Sequence, residues 1–291
     1  MAFTDKNAEP YSGQDLVRYI DKVLQVRPPQ SKVRNFSYQI IKRMFQPQIL
    51  DIENIPGKPC LFVANHAMYA VDGPIIGLPM FAEHGRFIRA LSDKFLWNPI
   101  NENLLLNQGI VIGHPEVCSA LMENGSDLIV FPGGAHEATK TADKKYQLLW
   151  KERYGFIKLA AKHGYTIVPT AIVGPEDFYD HLIEGEDLPN TIVGRALTKL
   201  GLINENTRSD LMGPIPLGLF RTLIPKPQKC YIQFGEPLDL SKHKAKRLTH
   251  KTMVTLRQEV ADEINGMIET LLEIQATDRV KSGRIRRLLT R

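Results

Sequence analysis

The sequence predicts an α/β fold, in which a mainly parallel sheet is flanked by helices and preceded by N-terminal amphipathic helices. After residue 49, short apolar runs of strand length alternate with helical segments, an order typical of parallel sheets covered on both faces. The chain of 291 residues is long enough to bury a large core, and it contains no internal repeat. The predicted strands are Cys60–Ala64, Arg86–Leu91, Gly109–Ile112, Asp127–Phe131, Thr166–Ile172 and Lys229–Phe234.

Two amphipathic helices are predicted before the sheet. In the first, Asp15–Arg27, apolar residues recur at helical spacing until the proline pair at 28–29. The second ends at Pro47 and has an apolar side made of Phe36, Ile40, Ile41, Met44 and Phe45. Such helices either lie on a bilayer surface or pack onto their own domain. Residues 1–48 are therefore assigned to a helical N-terminal segment, with both placements open.

A histidine and an acid follow the first predicted strand of the sheet. His66 comes just after Cys60–Ala64, at the strand end where open α/β sheets bind ligands. Asp72 is predicted to cap the next helix. On one regular helix the two residues would lie about 120° apart, so the loop must bend for them to pair. Paired, the carboxylate would fix the imidazole tautomer while the other ring nitrogen takes a proton from a hydroxyl, a contribution of about 10² to 10⁴ in rate. The alternative is a helix cap and a structural histidine.

A second polar turn follows the strand Asp127–Phe131. Gly133 and Gly134 permit positive φ, so their backbone N–H groups can approach the oxyanion of an attacked thioester. The alternative is a tight turn without catalytic function. His136-Glu137 does not begin a zinc-protease helix, because Lys140 stands where the second histidine belongs. No metal site, ATP-binding loop or serine nucleophile elbow is present in the sequence pattern, so no metal or cofactor is expected.

The second half of the chain carries three further segments. Trp150–His163 is predicted to be a helix that ends at Gly164, and Thr249–Ala276 a long helix with an apolar side. Between them, Gly213–Pro227 is apolar but broken by prolines, so it cannot form a regular helix. It is predicted to be a lid over an acyl chain, a loop that dips into a membrane, or a buried crossover.

The net charge of +5 is concentrated at the C-terminal end. Residues 277–291 are predicted to form a basic tail, and without its six cations the chain has 31 basic residues against 32 acidic ones. Such a tail suits an anionic membrane surface, at about 1 kcal/mol per charge, or is a solvated disordered end. One short tail is not a base-reading face, so nucleic acid is not an expected partner. The cations are Arg279, Lys281, Arg284, Arg286, Arg287 and Arg291.

Composition also bears on the compartment. The three cysteines are scattered and form no Cys-x-x-Cys pair, which favours a reducing environment. No window holds 18 consecutive apolar residues, and residues 1–11 lack a signal-peptide core. We therefore expect a cytoplasmic protein that is peripheral at the membrane surface.

Four segments, in order, resemble the phospholipid/glycerol acyltransferase superfamily, and most of all its diacylglycerol-acyltransferase-like branch of phytyl ester synthases and transmembrane protein 68 type enzymes. The resemblance covers roughly residues 49–240. It is carried by Asn65-His66 with Asp72, Phe131-Pro132-Gly133-Gly134-Ala135-His136-Glu137-Ala138, Tyr146-Gln147-Leu148-Leu149-Trp150, and Ile167–Gly174 followed by Glu176-Asp177-Phe178.

The resemblance implies transfer of a fatty acyl group from acyl-CoA or acyl carrier protein to a lipid hydroxyl. His66 would be the general base, Asp72 its orienting partner, and residues 49–276 the acyltransferase catalytic domain. Gly133 and Gly134 would line the site and Pro169 would shape the acyl pocket. Asn65, Pro132, His136 and Glu137 are the remaining candidates for substrate contact. Membrane lipids and the acyl donor are the implied partners, and the sequence leaves the oligomeric state open.

Two departures from the commoner glycerophosphate enzymes bear on the acceptor. Gly133 replaces their glutamate, and the segment Gly109–Glu123 lacks the arginine that would bind an acceptor phosphate. These features favour a neutral acceptor, diacylglycerol or a long-chain alcohol. The alternatives are a lysophospholipid or glycerol-phosphate acyltransferase, in which Lys140, Lys144, Lys145, Lys151 or Arg153 would bind the phosphate, and a catalytically idle lipid-binding protein of the same fold.

Overall fold

The structure, a computed structural model, describes residues 11–28, 32–97, 100–185, 187–188, 191, 195, 199, 213–244 and 246–290. Its helices are α1 (Gly13–Gln25), α2 (Lys32–Met44), α3 (Asp72–His84), α4 (Glu102–Asn107), α5 (Pro115–Glu123), α6 (Gly134–Ala138), α7 (Gly155–His163), α8 (His250–Lys281) and α9 (Arg284–Leu289). Its strands are β1 (Gln48–Leu50), β2 (Cys60–Ala64), β3 (Ile88–Ser92), β4 (Ile110–Ile112), β5 (Asp127–Val130), β6 (Thr166–Val173), β7 (Asp180–Ile183), β8 (Ile215–Leu217), β9 (Tyr231–Phe234) and β10 (Leu238–Asp239).

The main sheet has the strand order β1-β9-β6-β2-β5-β3-β4, with β10 paired to β6. Every neighbouring pair from β6 to β4 is parallel. The exceptions are β9 and β10, which run antiparallel to β6. The predicted α/β fold with a mainly parallel sheet is therefore confirmed. A separate pair, β7 and β8, forms a two-stranded antiparallel sheet.

Alternate residues of the central strand β2 enter different cores, because successive strand side chains point to opposite faces. Leu61 and Val63 pack with α1, α5, α7 and α8, whereas Phe62 and its neighbours pack with α2 and α3. The first two helices thus cover opposite faces of the sheet. Each also keeps exposed apolar side chains, namely Val17 and Leu24 on α1 and Phe36 and Ile40 on α2.

Several boundaries differ from the predicted ones. The predicted helix at Trp150 begins only at Gly155, because Lys151 takes a left-handed conformation (φ 50°) while the Trp150 side chain is buried in the core and mimics helical periodicity. Val71, not Asp72, is the residue before α3, and Asp72 is the first helical residue. The segment Gly213–Pro227 contains the strand β8, which was missed because Pro214 precedes it and Pro216 lies inside it.

The predicted boundary at 276 falls inside α8, which continues to Lys281. The basic residues that follow include α9, which is joined to the body by hydrogen bonds. Arg286 Nη2 donates to the Met44 carbonyl at 3.0 Å, and Gln228 Nε2 donates to the Thr290 carbonyl at 2.9 Å. Across the described residues, every helix is too short or too polar to cross a bilayer.

Candidate active site

Three loops meet at one edge of the sheet. Strands β5, β2 and β6 are adjacent and parallel, so the residues that follow their carboxyl ends lie side by side. These are His66 after β2, the Pro132–Gly134 turn after β5, and Glu176 after β6. The three segments are far apart in sequence, and sheet topology alone brings them together.

His66 and Asp72 form a direct pair. The His66 Nδ1 atom lies 2.7 Å from Asp72 Oδ2, and both side chains are buried. Asp72 Oδ2 also accepts the Ala67 N–H at 2.5 Å, and Oδ1 accepts the Gly73 N–H at 2.8 Å. The carboxylate is thereby fixed by two backbone donors besides the imidazole, which makes Nδ1 the protonated ring nitrogen. Across the described residues, no hydrogen bond engages His66 Nε2.

The loop between the two residues bends through a left-handed turn. Tyr69 and Ala70 both have positive φ, 58° and 57°, so the chain reverses and brings Asp72 back to the ring. Left-handed backbone costs a residue with a Cβ about 1–2 kcal/mol. The Tyr69 hydroxyl donates to the Pro214 carbonyl, which ties this loop to the chain that enters β8. The bend that pairing required is therefore present.

Charge and burial act in opposite directions on His66. Burial lowers the pKa of the imidazole, but the adjacent Asp72 carboxylate raises it through charge and hydrogen bonding, and Glu137 adds to that effect. The pKa of His66 consequently lies above its ordinary value. A ring of this kind is a stronger base than a free imidazole, as proton abstraction from a hydroxyl requires.

Glu137 lies beneath the site and connects two loops. Its Oε1 accepts the His66 N–H at 2.7 Å and its Oε2 accepts the Leu149 N–H at 3.1 Å. The side chain is fully buried, and burial raises its pKa. The sequence predicts substrate contact for Glu137; the structure places its carboxylate in contact with the backbone of His66 and Leu149 and away from solvent.

The glycine turn is shaped by the same carboxylate. A Cβ added at Gly133 would overlap the Glu137 carboxylate, so only glycine fits at this position. Gly134 has φ 52°, and its N–H donates to the Phe131 carbonyl, which removes it as an oxyanion donor. Arg153 Nη1 holds the turn from outside, 2.9 Å from both the Pro132 and the Gly133 carbonyl oxygens.

A buried ion pair supports the third loop. Lys140 Nζ lies 2.7 Å from Glu176 Oε1, and Glu176 Oε2 accepts the Tyr146 N–H at 2.8 Å. Burial raises the pKa of Glu176 to about 7 despite the lysine. Lys140 is therefore not placed to bind an acceptor phosphate. Lys145 is also engaged, 3.5 Å from Asp177.

The remaining candidate residues have different surroundings. The Asn65 amide is buried and exchanges two hydrogen bonds with the Ile172 backbone, at 3.0 and 2.8 Å, so it joins the end of β2 to β6. Pro169 is buried in the middle of β6 opposite Val63, four residues before the strand's end, and lies inside the sheet rather than at its edge. Pro132 is buried in the turn, and His136 is half-buried on α6.

A groove of about 500 Å³ opens next to the site. It lies over the carboxyl ends of β3, β4 and β5, between α5 and α7, and it reaches Phe131. The Phe131 ring stacks on the His66 ring, with centroids 4.2 Å apart and planes 17° apart. The His66 side chain is 9% exposed, and the groove is lined by Phe131 but not by His66, so one aromatic ring lies between the imidazole and the groove. The residues along the groove that matter below are Phe131, Arg153, Lys158 and Lys162.

Three features of this site were not found by reasoning from the sequence. Arg153 lies twenty residues beyond the turn that it holds, and no motif marks it. Phe131 reads as the last apolar residue of a strand, yet it stacks on the base. The contacts of Glu137 with two backbone N–H groups became visible only with the fold. The glycine at 133 is their local sign, because the Glu137 side chain fills the space that a Cβ would need there.

Comparison with known proteins places this geometry in context. Residues 46–173 match the Acyltransferase family model. Phytyl ester synthase 1, chloroplastic, of Arabidopsis thaliana is 30% identical over 249 residues, which are 79% of this chain and 35% of that protein. The "DGAT1/2-independent enzyme synthesizing storage lipids" of Mus musculus is 28% identical over 123 residues, 42% of this chain and 37% of that protein.

Among solved structures, the chain is similar to the 1-acyl-sn-glycerophosphate acyltransferase of Thermotoga maritima, with a TM-score of 0.48, 17% identity and 88% coverage of each chain. The chain spans about a third of the length of the curated plant relatives that it matches. The resemblance inferred from the motifs is thus confirmed by the family model and by these relatives.

Proposed function

Residues 46–173 of this chain match the Acyltransferase family model, and from that premise we propose that the protein transfers a fatty acyl group from a thioester donor to a lipid hydroxyl. The His66–Asp72 pair, 2.7 Å apart and held by two backbone donors, is the single observation that carries the proposal. It supplies a fixed tautomer, a raised pKa and a ring nitrogen left for substrate.

The reaction is a direct transfer. His66 Nε2 takes the proton of the acceptor hydroxyl as its oxygen attacks the thioester carbonyl carbon. Asp72 stabilises the imidazolium that forms, and no covalent acyl-enzyme is needed. The C–S bond of the tetrahedral intermediate then breaks, and the thiolate takes the proton from the imidazolium. The products are the ester and the free thiol, and no metal or cofactor takes part.

The developing oxyanion needs a donor near the turn. The Gly134 N–H already donates to the Phe131 carbonyl, whereas no hydrogen bond from the Gly133 N–H is found among the described residues. We assign the oxyanion contact to the Gly133 N–H, a contribution of roughly 10² to 10³ in rate where such donors have been tested. Arg153 and Glu137 fix the turn from its two sides.

The acceptor is a neutral lipid, diacylglycerol or a long-chain alcohol. A phosphate needs a cation or several donors. Of the five cations that the sequence offers for an acceptor phosphate, Lys140 and Lys145 are held by carboxylates and Arg153 by the Pro132 and Gly133 carbonyls, and the groove lysines are assigned to the donor. The names of the relatives agree with this choice, since they describe a phytyl ester synthase and an enzyme that makes storage lipids. A long chain gains about 0.8 kcal/mol per buried methylene, which favours water-insoluble acceptors over small ones.

The donor is an acyl thioester of coenzyme A or of acyl carrier protein, and the groove beside Phe131 is its site. Both donors carry phosphate next to a pantetheine arm. Lys158 and Lys162 on α7 line the groove and offer cations for that phosphate, while the apolar part of the groove leads to the Phe131 ring. Movement of Phe131 would open the way from the groove to the imidazole.

The test is an acyl-transfer assay with a defined panel. The full chain is offered acyl-CoA and acyl carrier protein donors with neutral and phosphorylated acceptors in mixed micelles, and products are identified by mass spectrometry. We expect ester formation with a neutral acceptor, and its loss by at least about 10²-fold in His66→Ala. His84→Ala, at the exposed end of α3, is the matched control and keeps wild-type turnover.

Three outcomes would replace the proposal. Equal turnover of His66→Ala and the wild type would show that His66 is not the general base. A preference for a phosphorylated acceptor, with KM raised by Arg153→Gln, favours a lysophospholipid or glycerol-phosphate acyltransferase. Lipid that binds but never turns over with any donor favours an idle protein of the same fold.

A further inference from the structure

One exposed apolar loop lies close to the candidate site and has no role in the proposed chemistry. This tip loop, residues 219–224, follows β8 and presents three large apolar side chains to solvent: Phe220 is 78% exposed, Leu223 71% and Ile224 54%. We infer that the tip loop docks on an anionic lipid bilayer and brings the His66 loop to the membrane surface.

The loop is preformed rather than loose. Gly218 N–H donates to the Thr222 carbonyl at 2.6 Å, and Leu219 N–H donates to the Ile224 carbonyl at 2.7 Å. Phe220 and Arg221 both have positive φ, so the chain turns sharply and pushes their side chains outward. A Cβ at Gly218 would overlap the Ile224 carbonyl, which explains the glycine there. Ordering these residues therefore adds little entropy cost when the apolar side chains enter a bilayer.

Charge selects a lipid surface over a second protein. The segment 213–229 has three cations and no acid. Lys226 and Lys229 are paired with Asp180 and Asp278, so Arg221 is the exposed cation that the tip itself offers to headgroups. The basic helix α9 is fastened beside the base of the loop, because Gln228, four residues after Ile224, donates to the Thr290 carbonyl. Apolar side chains flanked by cations suit a bilayer with anionic headgroups.

The loop also connects directly to the site. The chain enters β8 at Pro214, whose carbonyl accepts the Tyr69 hydroxyl in the turn between His66 and Asp72. The His66–Asp72 loop is thus linked to the proposed docking surface through one hydrogen bond and the short strand β8. Docking of the tip loop would hold the His66 loop near the bilayer that supplies a lipid acceptor, and in this respect the inference rests on the proposed function.

The experiment measures binding without turnover, so its failure and a failure of acyl transfer are told apart. The full chain is sedimented with phosphatidylcholine vesicles and with vesicles that also contain phosphatidylglycerol. The variant combines Phe220→Asn, Leu223→Ser and Ile224→Ser, and asparagine is chosen at 220 because it tolerates positive φ. The matched control carries Phe36→Ser and Ile40→Ser on α2, another surface with exposed apolar side chains.

We expect the tip-loop variant to lose at least about tenfold in partitioning, because three exposed apolar side chains are removed. The α2 variant should change by less than about twofold. Arg221→Gln should reduce the preference for phosphatidylglycerol by about fivefold, as one charge at an anionic surface does. Thermal unfolding of each variant verifies the fold.

A gain of signal provides an independent readout. Leu223→Trp places a fluorophore on the tip, and its emission should shift to shorter wavelength when vesicles are added, whereas Leu104→Trp on α4 should not respond. Unchanged partitioning of the tip-loop variant, loss of binding in the α2 variant alone, or a silent Leu223→Trp would each overturn the inference.

Discussion

Replacing Asp72 by asparagine removes one charge from the candidate site and leaves its shape intact. The carboxylate accepts three N–H groups, from the His66 ring and Ala67 at Oδ2 and from Gly73 at Oδ1. An asparagine has one acceptor oxygen and one NH₂ group, so its orientation decides which of these three bonds survive.

The structure favours one orientation. With the amide oxygen toward His66 and Ala67, only the Gly73 N–H loses its acceptor, whereas the flipped amide opposes two N–H groups. One hydrogen bond is worth about 1 kcal/mol net, so the first orientation dominates. It keeps the imidazole tautomer, with its proton on Nδ1, and leaves the other ring nitrogen as the base.

The rate loss should therefore come from lost charge alone. A buried hydrogen bond from an imidazolium to a neutral amide is weaker than one to a carboxylate, and a difference of about 2.7 kcal/mol corresponds to about 10² in kcat. A flipped tautomer would cost about 10⁴ instead, the value known for the analogous change in a serine protease triad. The orphaned Gly73 N–H should lower the free energy of unfolding by about 1–3 kcal/mol.

The pH dependence follows from the same pair. In the wild type kcat/KM should rise with pH as the imidazole loses its proton, with a midpoint above the ordinary histidine pKa of about 6.5, because Asp72 raises the pKa of His66. In Asp72→Asn that cause is gone while burial still lowers the pKa, so the midpoint moves to lower pH. The ion pair's stabilisation of the fold is complete below about pH 6.5 and is lost as pH rises through the folded-state pKa.

The assay is ester formation from acyl-CoA and a long-chain alcohol at a series of pH values, with Asp21→Asn on the exposed side of α1 as control. Wild-type kcat in Asp72→Asn would refute the pairing as a catalytic device. A loss near 10⁴ with an unmoved midpoint would instead refute the argument on amide orientation.

Three further variants test the supports of the site. Glu137→Gln leaves one of its two backbone donors facing an amide NH₂, so we expect the free energy of unfolding to fall by about 1–3 kcal/mol. The pH midpoint of kcat/KM should also move to lower pH, because the Glu137 charge raises the pKa of His66. An unmoved midpoint contradicts this effect of the Glu137 charge. Gly133→Ala should abolish turnover, since its Cβ overlaps the Glu137 carboxylate. Gly77→Ala, in open space on α3, should leave the free energy of unfolding measured by denaturation unchanged or raise it. Equal behaviour of the two variants rejects the steric argument. Lys140→Met should destabilise by about 3–5 kcal/mol in urea unfolding, because it leaves Glu176 buried without its cation, and a loss below about 1 kcal/mol would contradict this.

Local patterns predicted the framework of this protein well. The strands β2, β5 and β6 are short apolar runs, and their bounds are found within two residues of the predicted ones. The His66–Asp72 pair was also predictable, because both residues belong to one strand-to-helix loop. In each case the information lies within a few positions along the chain.

Long-range contacts were not predictable from spacing. Asn65 reads as a site residue because it precedes the histidine, but its partner Ile172 is 107 positions away. The same holds for Glu137, 71 positions from the N–H that it accepts. A polar residue beside a catalytic motif has the same sequence signature whether it touches substrate or supports the loop, and only burial separates the two.

The left-handed turn at Tyr69 and Ala70 has a consequence for anyone who improves this protein by selection. Glycine at position 70, which keeps the Tyr69 hydroxyl bond, would relax the backbone and raise the melting temperature, yet it would also let the loop sample other shapes and release the acid from the ring. Variants selected for thermal stability alone should thus have lower turnover, and a selection on this chain needs turnover as a second criterion.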